Sequence, residues 1–151
     1  MKISIKTDYA LRILLELAVN YEVSLKEKGC LKMKEISKKH NIPYKFLQQI
    51  VLLLKRLGYI KTTQGIKGGV CLAKHPKDIK LLDVIKDLEG ETLPIVCFEK
   101  KFSQKCKETN CVFIPIWQEM DKKVKEVIND INFEELVKRY YTKEQKIIYF
   151  I

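Results

Sequence analysis

Met33-Lys34-Glu35-Ile36-Ser37-Lys38-Lys39-His40-Asn41-Ile42-Pro43-Tyr44-Lys45-Phe46-Leu47-Gln48-Gln49-Ile50-Val51-Leu52-Leu53-Leu54-Lys55-Arg56-Leu57-Gly58 holds two helical patterns in succession. Met33, Ile36 and Ser37 mark the inner face of a short helix over residues 33–40, closed by Asn41, which tolerates the left-handed conformation at a helix end. Pro43 suits the first position of a second helix, where its missing N–H is not needed. Phe46, Leu47, Ile50, Val51 and Leu54 line one face of that helix as far as Leu57, and Gly58 supplies the stop. Two helices joined by His40-Asn41-Ile42-Pro43 predict a helix-turn-helix.

Downstream, Tyr59-Ile60-Lys61-Thr62-Thr63 is rich in β-branched and aromatic residues, and Val70-Cys71-Leu72-Ala73 resumes the pattern, so each reads as a strand. Between them, Gln64-Gly65-Ile66-Lys67-Gly68-Gly69 carries three glycines that favour positive φ and close backbone approach, and reads as a loop. Helix, turn, helix and a hairpin with a basic glycine-rich tip describe a winged helix. Upstream, Leu11, Leu14, Leu15, Ala18 and Val19 predict an amphipathic helix over residues 7–20 with Thr7 as N-cap. Residues 82–89, ended by Gly90, complete the winged unit as a short helix.

Residues 91–113 hold Cys97, Cys106 and Cys111 among Lys and Glu with no sustained period, and read as a loop. Pro115 opens a long helix to residue 130, striped by Ile116, Met120, Val124, Val127 and Ile128, and Asn132-Phe133-Glu134-Glu135 has the form of a capping box for a further helix reaching Tyr141. The stripe has little chain left to cover it. A symmetric dimer in which each protomer buries the stripe of the other would cover it; folding back onto its own winged unit is the alternative. The expected class is mainly α with a small β-hairpin wing (α+β). It divides into a winged helix-turn-helix at 1–90, a cysteine-bearing sensor loop at 91–113, and a dimerisation helix with tail at 114–151.

Charge points the same way. The 151 residues carry 29 Lys+Arg against 19 Asp+Glu, a formal net charge of +10, with 46% hydrophobic residues, enough to build a core. Residues 1–75 hold 15 Lys+Arg and 5 Asp+Glu, whereas residues 76–151 hold 14 of each, so the whole excess lies in the N-terminal half. That half is expected to meet a polyanion, double-stranded DNA in this setting; a solvated Lys-rich surface is the plainer explanation of the charge alone. No run reaches the roughly 18 apolar residues of a membrane span. Met1-Lys2-Ile3-Ser4-Ile5-Lys6-Thr7-Asp8 is too evenly charged for a signal peptide. A cytoplasmic protein with no membrane partner is expected. Five cysteines, an odd count without an export signal, argue against a disulfide framework and for thiols that are free, metal-bound or redox-active.

A helix-turn-helix places its second helix in the major groove. Off its core stripe stand Tyr44, Lys45, Gln48 and Gln49: Gln can pair bidentately with adenine, Lys can reach guanine or phosphate, and Tyr can bond a phosphate. The wing tip, with Gly65, Lys67 and Gly68, would lie along a phosphate backbone or in a minor groove, and Lys2 and Lys6 are further phosphate candidates. The same residue types occur on any exposed helix or plain turn. Neutralising about six phosphates per dimer would make log affinity fall with log salt at a slope of roughly five.

Cys97, Cys106 and Cys111 follow the pattern C-x8-C-x4-C. Thiolates suit iron–sulfur clusters and zinc, and three leave one position open for Asp8, Glu99, Glu108 or a histidine brought near by folding. The absence of a C-x2-C pair weakens a structural zinc reading, and three ordinary intracellular thiols remain the alternative. Cys30 and Cys71 are expected as packing residues. With two histidines in unrelated places and no nucleophile elbow, P-loop or dinucleotide fingerprint, no enzyme is expected.

Taken in order, these stretches resemble the Rrf-two-type winged-helix transcription regulators, which include IscR-, NsrR- and CymR-like members. The resemblance is carried by residues 4–12, by Lys34-Glu35-Ile36-Ser37 through Ile42 with Phe46-Leu47-Gln48-Gln49, and by Gly65-Ile66-Lys67-Gly68-Gly69-Val70 with Leu72-Ala73. It continues through Leu81-Leu82-Asp83-Val84-Ile85, Leu88-Glu89-Gly90 and the three cysteines followed by Trp117. It implies a homodimer on a partly palindromic promoter site, acting as a repressor, with the helix from Pro115 as the dimer element. It also implies an iron–sulfur cluster on Cys97, Cys106 and Cys111. IscR-like members carry a histidine shortly after the third cysteine, where this chain has Val112, Phe113 and Ile114. NsrR-like members use an N-terminal aspartate, the position of Asp8, which implies a 4Fe–4S cluster rather than 2Fe–2S, with Asp8 supplied by the partner protomer. As a first-turn acid, Asp8 is equally favoured by the helix dipole. The resemblance to CymR-like members implies the alternative of a cluster-free regulator controlled by thiol oxidation or a partner protein. An iron–sulfur or zinc carrier, or a redox protein, whose basic half docks an acidic partner is the reading from another class.

Overall fold

A computed structural model describes residues 3–23, 29–65, 68–90 and 111–148. Helix α1 (Ile5–Val23) is the central post, packed against the second helix, the wing and the C-terminal helix. It starts two residues earlier than its apolar periodicity predicts. Ser4, not Thr7, caps it: the Ser4 Oγ accepts the Thr7 N–H at 3.3 Å, and Thr7 is fully buried. Its core face is also wider than the predicted stripe. Ala10, Ile13, Leu14, Leu17 and Ala18 are fully buried, while Leu11, Leu15 and Val19 are only partly covered, because neighbours approach from several sides.

Helix α2 (Met33–His40) matches its predicted bounds, and Asn41 closes it at φ 51°, ψ 42°. The Glu35 carboxylate accepts the Lys32 N–H at 3.3 Å, satisfying one donor at its start. Helix α3 (Tyr44–Arg56) buries Leu47, Ile50, Val51 and Leu54, and Phe46 meets the Tyr9 ring edge-on at 5.8 Å. Pro43 stands one residue before the first helical position, at φ −54° and ψ 128°. Its fixed φ serves the turn as well as it would serve the helix.

The wing pairs β1 (Ile60–Thr62) with β2 (Val70–Leu72) antiparallel, with Ile60 opposite Leu72 and Thr62 opposite Val70. On the other side of β2, Leu31 forms an antiparallel bridge with Val70. The Leu31 N–H donates to the Val70 carbonyl at 2.9 Å and the Val70 N–H to the Leu31 carbonyl at 2.8 Å. A Cβ at Gly69 would stand 2.5 Å from the Leu31 oxygen, so the approach requires glycine. The expectation that Cys30 and Cys71 are unlinked packing residues is overturned, for they form a disulfide. Pairing explains it: position 30 faces position 71 one step along from the Leu31–Val70 bridge. The partnership was hidden because Cys30 lies in no periodic segment.

After a 3-10 turn (Pro76–Asp78), α4 (Leu81–Glu89) ends at Gly90, φ 87°. Helix α5 (Phe113–Ile128) starts two residues ahead of Pro115, which the first turn tolerates. None of its residues is buried. Helix α6 (Phe133–Ile148) outruns the expected end at Tyr141, and the Asn132 Oδ1 accepts the Glu135 N–H at 2.9 Å as its cap. Phe133 and Val137 are fully buried in the core around α1. Two backbone bonds hold the entry to α6: Phe133 N–H to the Ile79 carbonyl at 3.0 Å and Leu81 N–H to the Ile131 carbonyl at 2.9 Å.

Candidate nucleic-acid interface

Because Leu47, Ile50, Val51 and Leu54 turn one side of α3 inward, Tyr44, Lys45, Gln48 and Gln49 are left exposed on the other. These are the four predicted reading residues, on one continuous face. Between the starts of α2 and α3 and the wing lies an open groove of about 310 Å³, lined among others by Lys32, Lys34, Tyr44, Thr62, Thr63 and Gly65. Gly68 also lines it, and its backbone packs so closely on the Thr63 carbonyl that a Cβ would stand 2.4 Å away. Lys32, Lys34, Thr62 and Thr63 are groove residues that sequence reasoning did not single out. Their signal was adjacency: two lysines flank the predicted start of α2, and two threonines end the first wing strand.

Of the remaining DNA candidates, Lys2 and Lys67 lie outside the described residues. Lys6 is partly committed, its Nζ donating to the Leu88 carbonyl at 3.4 Å. Lys39 and His40 are drawn the other way, onto the nearly buried Glu16 of α1 at 2.8 and 3.2 Å. That contact ties α2 to α1 and turns Lys39 toward a carboxylate. At the foot of the wing, the Tyr59 hydroxyl donates to the Asp87 Oδ2 at 2.5 Å. Burial and then the Asp87 carboxylate push the Tyr59 phenol well above its ordinary range, so it stays a neutral donor joining the wing to α4.

Of the cysteines expected as ligands, Cys111 is a free, partly buried thiol just ahead of α5, whereas Cys97 and Cys106 lie outside the described residues. The Asp8 carboxylate accepts from the Arg12 Nε at 2.9 Å, one turn along α1. Among the described residues, no group of three or more His, Cys, Asp or Glu side chains could hold a metal ion, and no helix is long and apolar enough to cross a membrane.

Residues 3–139 match the family profile described as "Iron-dependent Transcriptional regulator", the Rrf2 family. CymR of Bacillus subtilis is 28% identical over 151 residues, covering 100% of each chain. NsrR of Halalkalibacterium halodurans is 33% identical over 117 residues, 77% of this chain and 72% of the relative. Among solved structures, T. potens IscR superposes with a TM-score of 0.73 at 26% identity, covering 93% of this chain and 88% of that one. These relatives are transcriptional regulators, not enzymes. The helix pair, the hairpin wing and a family match across nearly the whole chain agree: the protein belongs to the Rrf2 family of transcriptional regulators.

Proposed function

We propose that two copies of this chain bind a partly palindromic promoter site in double-stranded DNA and repress transcription from it. The exposed face of α3 enters the major groove with Lys45, Gln48 and Gln49 toward base edges, and Tyr44 reaches a phosphate. The wing, with Gly65, Lys67 and Gly68, follows the backbone, and Lys2 and Lys6 add phosphate contacts. One observation carries this reading. The basic groove between α3 and the wing lies in the half of the chain that holds the whole positive excess.

The second copy is supported by α5. Phe113, Ile116, Met120 and Val127 are exposed along it, Phe113 stacks on Trp117, and an open apolar trough of about 360 Å³ runs past Ile116, Met120 and Val124. Pairing of two such faces would remove them from water. Footprinting across the native upstream region tests the whole reading. Two protected half-sites separated by a whole number of helical turns are expected, and an unprotected region refutes it.

The donor set fits an iron–sulfur cluster, with three cysteines in one segment of the sequence and Cys111 free and partly accessible. Cys97, Cys106 and Cys111 would hold it, with Asp8 of the partner protomer as fourth ligand once released from Arg12, and 4Fe–4S suits this set better than 2Fe–2S. When bound, the cluster would supply a redox centre responsive to oxidants, nitric oxide or iron supply. An iron-free, colourless protein from anaerobic purification would refute this part. A second reading, control by thiol oxidation or a partner protein without metal, is favoured by the end-to-end match to CymR. Cys→Ser changes at 97, 106 and 111 that leave regulation intact would favour it.

A further inference from the structure

We propose that Cys30 and Cys71 are a reversible dithiol–disulfide pair that clasps the wing to the segment leading into α2, and through that clasp sets the groove's grip on DNA. The pair is separate from the cysteines at 97, 106 and 111. Its effect on DNA rests on the function proposed above; the clasp itself does not.

Two observations carry it. The bond joins residues 41 apart, and the chain between them is α2, the turn, α3 and β1. It therefore closes a loop around the entire reading unit. The second observation is the pairing geometry. Leu31 and Val70 exchange both of their backbone bonds, so the next facing pair, 30 and 71, is the non-hydrogen-bonded kind, in which backbones approach most closely. Their Cα atoms are 4.3 Å apart. The backbone alone thus keeps the two sulfurs facing when the bond is open, and it can re-form without refolding.

Accessibility divides the roles. Cys71 is fully buried between Val70 and Leu72, whereas Cys30 is only partly covered. A hydroperoxide therefore meets Cys30 first. The Cys30 thiolate attacks the peroxide O–O bond, forming a sulfenic acid while the departing oxygen takes a proton and leaves as water. The Cys71 sulfur then attacks the Cys30 sulfur, the S–O bond breaks, and a second water leaves. Two thiols and one hydrogen peroxide give one disulfide and two waters. A dithiol reductant reverses this by exchange, becoming a disulfide itself.

The clasp matters because of where it sits. Val70, beside Cys71, and Lys32, two residues from Cys30, both line the groove. With the bond closed the two segments are covalently joined; with it open, the Leu31–Val70 bridge still links them through the backbone.

The test uses the full chain, reduced with dithiothreitol or oxidised with one equivalent of hydrogen peroxide. Free thiols are then blocked, and the protein is digested and mapped by mass. A Cys30–Cys71 linked peptide is expected after peroxide and absent after dithiothreitol. The Leu31 and Val70 amides should exchange with deuterium at least about tenfold more slowly in the oxidised form. Cys30→Ser should abolish both responses, and Cys71→Ala should do the same should the Cys30 variant fail to fold. Blockable Cys30 and Cys71 after peroxide, or equal exchange in the two forms, overturns the proposal. On a duplex carrying the native upstream region, the pre-ordered oxidised form should bind about threefold or more tightly than the reduced form. Equal binding of that duplex by both forms overturns the link to DNA. A clasp that forms and slows exchange, with neither form preferring that duplex to unrelated DNA, supports the clasp and refutes the regulator reading.

Discussion

Gln48 and Gln49 are adjacent on the exposed side of α3, so a groove wall can meet both at once. Replacing either by Ala should cost about 1–3 kcal/mol of preference for the native site over a shuffled duplex, with affinity for the shuffled duplex nearly unchanged. Competition binding checks this. A second residue bears on the wing. Gly69→Ala forces a Cβ to within 2.5 Å of the Leu31 carbonyl. It should destabilise the fold by about 1–3 kcal/mol, read as a lower melting midpoint; an unchanged midpoint would show that the hairpin yields. At this scale the sequence was legible where one residue has one job. Asn41 ends α2 in the left-handed region as its side chain predicts. It was illegible where two residues compete: Ser4 and Thr7 are both good caps, and only the neighbours packed on Thr7 decide between them. Cys30 and Cys71 belong to a third kind, since a contact between residues 41 apart leaves no local trace.

Periodicity foretold the elements better than their surroundings. The α2–α3 pair and the hairpin lie where their patterns predict, because each has one core-facing side and an explicit stop. For α1 the pattern gave the helix and misplaced its buried face, since a helix enclosed on several sides has no single stripe. Helix α5 is the reverse: its stripe was plain in the sequence and stays unburied among the described residues. Met120→Asp should shift the protein to a monomer in sedimentation, with its helical circular-dichroism signal retained. A monomeric unsubstituted protein would refute pairing through this face. In α6, Phe133 fills the core beside α1, and Phe133→Ala should cost about 3–5 kcal/mol in chemical denaturation.

On the scale of the whole molecule, the two ends of the winged unit meet at Glu89. This last residue of α4 accepts the Ser4 backbone N–H at 2.9 Å, beside the start of α1. The Ser4 side chain first, then the Thr7 side chain and the Ser4 backbone, hold its carboxyl below the ordinary value of 4.5. The folded form therefore favours the ionised state. The stability this contributes is complete above the ordinary value and drains away as pH falls through the lowered one. Glu89→Gln should flatten the acid limb of a stability–pH curve and leave its slope near neutrality unchanged. The same whole-chain view governs what can be cut. Phe133 and Val137, although they come after α5, plug a hole in the winged unit, and Ile131 and Phe133 are stitched to the backbone at positions 79 and 81. A fusion engineered to borrow only the first ninety residues as a portable reading head would inherit an open greasy socket, and a transplant that keeps its shape has to carry the stopper with it.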